Sequence, residues 1–149
     1  MNGSQAGSIE TGRYTLPKAE RLAKRSDIKR LFAHGEAFLV YPVKCTYLFR
    51  PSGEGIGARN RIMVIVSKRN HRRAVARNQL KRRMREAYRL NKRSAGEGSS
   101  GVGLDIAFSY IAKGEPLDYR TIEKAVVSIL NKLCTIRNQR NLSEVSGVE

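Results

Sequence analysis

The sequence predicts a mixed α+β or α/β chain folded as a two-layer sandwich, with elements in the order α-β-β-α-β-α and room for one further short strand. Three features carry this expectation. Ile62 to Val66 is an apolar run of strand length, and Leu104 to Ile111 reads as another strand. Between them, Ala76, Leu80, Met84, Ala87 and Tyr88 fall within one third of a helical wheel, which is the packing face of a helix. Strand, long helix and strand in succession form a βαβ unit whose two strands should run parallel within a small mixed sheet.

The first helix is expected to open at Ser26 and Asp27, to carry Ile28, Leu31 and Phe32 on one side, and to stop at Gly35. Phe38 to Phe49 then reads as one strand, with Val43, Cys45, Tyr47 and Phe49 on a buried face and Lys44, Thr46 and Leu48 on a mixed one. Pro51 to Gly57 is a loop. The mostly β-branched run Ile62 to Val66 is expected to be a central strand covered on both faces. After the long helix, Ser94 to Gly103 is a Gly/Ser-rich connector, and Tyr119 to Ile136 shows the three- and four-residue apolar spacing of a helix that covers the sheet. Residues 1–14 and 137–149 are polar tails, leaving a single domain over 15–136.

Composition narrows the function. The chain has 149 residues, 29 Lys and Arg against 13 Asp and Glu, and a net charge of +16. A chain of this length can bury a core without disulfides or structural metals. Cys45 and Cys134 lie far apart, with no CxxC and no histidine at ligand spacing, and read as small buried hydrophobes of a reducing compartment. No apolar run reaches membrane-spanning length, and the N-terminus lacks the apolar core of a signal peptide, so a cytoplasmic location is expected.

Between Lys68 and Arg93 the chain places 12 of its basic residues and one acid, Glu86. Lys81, Arg82, Arg85, Arg89 and Lys92 lie beside the helix's packing face. Charges of one sign at this density repel, and a partner bearing phosphates supplies the compensation. A protein-based active site is not indicated. The acids are scattered singly, His34 and His71 have no acid partner in sequence, and Gly53 to Gly57 lacks the Lys-Ser/Thr and the helix of a phosphate-binding loop.

The run Ala74-Val75-Ala76-Arg77-Asn78-Gln79-Leu80-Lys81-Arg82-Arg83-Met84-Arg85-Glu86-Ala87-Tyr88 resembles the signature helix of the bacterial ribonuclease P protein component. Ser67-Lys68-Arg69 before it, and Arg25-Ser26-Asp27-Ile28 through Phe32 and Gly35 further upstream, are similar to that family as well. The likeness covers about Leu16 to Leu133. It implies the small subunit of a ribonucleoprotein endonuclease that removes the 5′ leader of precursor tRNA, with chemistry and magnesium belonging to the catalytic RNA. It implies no catalytic residue in the protein, no metal held by protein side chains alone and no obligate protein partner. It also implies a left-handed βαβ crossover, against the usual right-handed rule.

Carried over by residue, Arg77, Asn78, Lys81, Arg82, Arg85 and Arg89 would contact the catalytic RNA, guanidinium forks suiting phosphate oxygens. Phe32, Lys44, Thr46, Ser67 and Lys68 would form the groove for the single-stranded leader. Two plainer readings stay open: Asn78 as a helix cap or a bond to its own backbone, and Phe32 as core. Gln79 stands where the family commonly has arginine, Ile28 where a second aromatic is frequent, and the Asn70-His71-Arg72-Arg73 loop is one residue longer than usual. Competing classes are a ribosomal or ribosome-assembly protein, a DNA-binding protein and a metal-dependent nuclease acting alone.

Overall fold

The computed structural model describes residues 16–50, 60–92 and 103–147. The predicted N-terminal tail, the Pro51 to Gly57 loop and most of the Ser94 to Gly103 connector lie outside them. A short 3-10 turn at Lys18–Glu20 is followed by α1 (Arg25–His34), β1 (Glu36–Val40), β2 (Val43–Phe49), β3 (Arg61–Val66), α2 (Ala74–Asn91), β4 (Leu104–Tyr110) and α3 (Tyr119–Gly147).

The four strands form one mixed sheet in the order β1-β2-β4-β3. β1 and β2 are antiparallel, β2 and β4 are antiparallel, and β3 and β4 are parallel, as a βαβ unit requires. Side chains alternate across the pleat. One face presents Val43, Cys45, Tyr47, Ile62, Val66, Ile106 and Phe108 to α2 and α3, and this is the main core. The opposite face presents Ala107, Leu48, Met63 and Ile65 to Leu22, Ile28 and Leu31, a smaller cluster under α1.

Four expectations are corrected. Phe38 to Phe49 is not one strand: the chain turns at Tyr41-Pro42, a cis peptide, and Val40 pairs with Val43 across a hairpin. Proline has no N–H for the ladder, which was the available sign that the strand breaks there. β3 is covered on both faces, as its apolar run suggested, yet it is an edge strand, and β2 and β4 hold the centre. Coverage and hydrogen-bonded neighbours are separate matters. Ser26 and Asp27 do not cap α1; they lie in its first turn behind Lys24, and Asp27 is drawn into an ion pair instead. Finally, α3 does not stop at Ile136 but runs to Gly147, and Arg137 in it is 1% exposed and donates from Nη2 to Asn60 Oδ1 at 2.7 Å.

Gly35 does end α1, but not through a left-handed conformation: its φ is −75°. A Cβ there would press on Leu31 O and lie 2.8 Å from Tyr47 O. Glycine lets the helix end against β2.

Candidate nucleic-acid interface

Leu80, Met84, Ala87 and Tyr88 seat α2 in the main core, and Ala76 is half-buried at the edge of the same face. That seating turns Asn78, Arg82 and Arg85 outward, where all three are exposed. Lys81, Arg77 and Arg89 are half-buried flanks of this ridge. α2 has no acid in its first turn and no side-chain cap, and exposed Arg72 and Arg73 precede it. Cations at the positive end of a helix dipole are unfavourable, and each like-charge pair at i,i+4 costs about 0.2–0.5 kcal/mol. An anion at this surface would relieve both terms.

The predicted cations are not equivalent. Arg77 Nη1 donates to the carbonyls of His71 and Arg72 at 2.9 and 2.7 Å, so this side chain also orders the loop before α2. Arg89 is paired with Glu86, its Nε lying 3.2 Å from Oε2, and this pairing raises its pKa above the usual arginine value. Lys92 reaches Glu20 at 3.1 Å. Arg83 donates to the Leu117 carbonyl and serves packing. Asn78 lies a full turn inside α2, which removes the capping alternative.

The second candidate surface is the sheet face that carries α1. Strand register lays its side chains in three rows. Leu48, Asp105 and Arg61 form one, Ala37, Thr46, Ala107 and Met63 the next, and Leu39, Lys44, Ser109 and Ile65 the third. The cluster under α1 takes Leu48, Ala107, Met63 and Ile65 from these rows, and Thr46 is 7% exposed, so its side chain is mostly withdrawn from any surface. The third row is open at its β1–β2 end, with Lys44 exposed and Leu39 54% exposed, while Ile65 at its other end packs in the cluster under α1. Phe32 is 49% exposed on α1, on the same side of the sheet, and is not core. Ser67 and Lys68 follow the end of β3, where Ser67 Oγ accepts a bond from the Arg69 N–H at 3.0 Å and Lys68 is exposed.

A buried carboxylate that the sequence reading passed over holds α1 in place. Asp105 is fully buried on β4 and accepts from Arg61 Nε at 2.8 Å and Nη2 at 2.9 Å, and from Arg50 Nη1 at 3.0 Å. Arg61 Nη1 continues to Asp27 on α1 at 3.0 Å, and Arg30 on α1 lies 3.8 Å from Asp105. Desolvated charges persist only when paired and hydrogen-bonded in this way. His71 is also buried: its Nε2 donates to Ala112 O at 2.8 Å, a carbonyl being able only to accept, and its ring packs on Tyr110.

The model of the family described as Ribonuclease P matches residues 16–134, from the first turn through the sheet and α2 into α3. The chain belongs to the ribonuclease P protein family. A Porphyromonas gingivalis protein named ribonuclease P protein component is 38% identical over 122 residues, covering 80% of this chain and 87% of that one. A Nitrosomonas eutropha protein of the same name is 30% identical, covering 80% and 91%. Among solved structures, the ribonuclease P protein of Thermotoga maritima superimposes with a TM-score of 0.61 at 25% identity, covering 76% of this chain and 96% of its own. That of Staphylococcus aureus gives 0.60 at 22%, a likeness of fold.

Ribonuclease P membership displaces the ribosomal and DNA-binding readings. Asp105 and Arg61 escaped the sequence reading because they stand 44 residues apart, and only the parallel register of β3 against β4 brings them together.

Proposed function

We propose that this chain is the non-catalytic protein subunit of ribonuclease P, binding the catalytic RNA through α2 and the 5′ leader of precursor tRNA on the open sheet face beside α1. The observation that carries this reading is the outward ridge of Asn78, Arg82 and Arg85, whose cations have no carboxylate partner among the described residues. Guanidinium groups there would release counterions from RNA, giving an affinity that falls steeply with salt. Exposed Phe32 offers a stacking platform and Lys44 a phosphate contact on the α1 face, which suits an unpaired strand.

Magnesium belongs to the RNA in this account. Among the described residues no three His, Cys, Asp or Glu side chains gather where they could hold a metal ion, and the one fully buried carboxylate is occupied by arginines. No described helix is long and apolar enough to cross a membrane, and a cytoplasmic location fits a subunit that works on precursor tRNA.

Reconstitution tests the reading. The purified protein should not cleave precursor tRNA alone and should restore cleavage when added to the catalytic RNA at low magnesium. Robust cleavage by RNA-free protein, lost on substitution of one of its own carboxylates, would contradict it.

A further inference from the structure

The basic ridge of α2 faces a second wall. The segment Leu16–Ala23 lies against the outer edge of β3, where Arg21 bridges to Ile62 and the Leu22 N–H donates to Ile62 O at 2.7 Å. Next to Arg21 the segment is fastened to the C-terminal end of α2 by the ion pair of Glu20, 4% exposed, with Lys92, the residue after the helix. Between the two runs an open cleft of about 1010 Å³, floored by Ile62, Met63 and Val64, into which Arg21 enters from the segment and Arg82, Arg85 and Arg89 from α2. Glu86 lies in the same cleft but is engaged by Arg89. Arg21, Arg82 and Arg85 have no carboxylate partner among the described residues, and Lys18, Lys24 and Arg25 continue the positive charge beyond Arg21 on exposed positions.

We propose that this N-terminal segment is part of the RNA interface, and that Arg21 contacts the same stretch of phosphodiester backbone as Arg82 and Arg85. The inference rests on the RNA-binding reading above and adds a wall to it. Convergence of guanidinium groups from two tethered elements fits an extended anion better than a single small one. The cleft is at the upper limit of compact ligand pockets, and a planar fork matches phosphate oxygens wherever the backbone passes.

The test uses the full chain and the ribonuclease P RNA of the same organism. Arg21→Ala should lower the slope of log K against log[salt] by about 1, as Arg82→Ala does, and the double variant by about 2. Lys124→Ala, on exposed α3 surface, should leave it unchanged. Hydroxyl radicals from a chelate tethered at position 21 should cut nucleotides overlapping those cut from position 82. An unaltered slope for Arg21→Ala beside a flattened one for Arg82→Ala, or cuts that do not overlap, overturns the second wall and leaves the α2 reading standing. Unaltered slopes for both variants overturn both.

Discussion

Asp105 and Arg61 are joined by two parallel hydrogen bonds, Nε to Oδ1 at 2.8 Å and Nη2 to Oδ2 at 2.9 Å, with the carboxylate fully buried. The pair links adjacent parallel strands. Through Arg61 Nη1 it also reaches Asp27, so the position of α1 on its sheet face depends on a charge cluster as well as on the small apolar cluster around Leu31. Removing the Asp105 charge would leave Arg50 and Arg61 buried or half-buried around a neutral amide. Breaking such a cluster costs about 3–5 kcal/mol. Asp105→Asn should therefore lower the denaturation midpoint by that equivalent. A midpoint within 0.5 kcal/mol of wild type, to about the scatter of surface substitutions, would show that the cluster is dispensable.

Gly35→Ala is predicted to destabilise by about 1–3 kcal/mol, the range for forcing an extra methyl group into a packed site. The added Cβ would press on the Leu31 carbonyl and lie 2.8 Å from that of Tyr47, both of them backbone atoms. The φ of −75° suits alanine, so conformational preference predicts no loss. Chemical denaturation separates the two accounts, and an alanine variant as stable as wild type would refute the steric one.

Burial pushes the Cys45 thiol up to about 12 from its ordinary 9.0. The native state then keeps a proton that the unfolded state loses, so the contribution is fully present below pH 9 and disappears as pH rises from 9 toward 12. Stability measured across that window should fall less steeply in Cys45→Ala than in wild type. At neutral pH a thiol reagent should modify the partly exposed Cys134 and spare Cys45 until the chain unfolds. Equal labelling of both in native protein would contradict the burial.

Phe32→Ala should weaken binding of precursor tRNA to the reconstituted particle by about 1–3 kcal/mol, the range for one base stacked on an aromatic ring. Mature tRNA, which lacks the leader, should be little affected. The ring is 49% exposed, so stability should change far less than for a core phenylalanine. Equal losses for the two tRNAs would assign Phe32 to packing.

Much of this was legible from periodicity. The apolar stripe of α2, the alternation of β2 and the parallel β3–β4 unit are local patterns that the packed structure follows. The same regularity singled out the ridge of α2, because the positions not needed for packing are the ones left to face outward. What could not be read depends on contacts between distant segments. The edge position of β3, the Asp105 cluster and the burial of His71 and Arg137 are set by register and tertiary packing. Arg77, Arg83 and Arg89 look alike in sequence, yet one orders a loop, one holds a carbonyl and one meets Glu86.

Salt-dependent binding of the catalytic RNA by the wild-type chain and by Arg82→Ala/Arg85→Ala tests the account most directly. The slope of log K against log[salt] should fall by about 2 in the double variant, two phosphate contacts having been removed, while the fold remains intact by circular dichroism. A slope identical to wild type would mean that the α2 ridge faces solvent in the particle, and the account of this protein as an RNA-bound subunit held by that helix would be wrong.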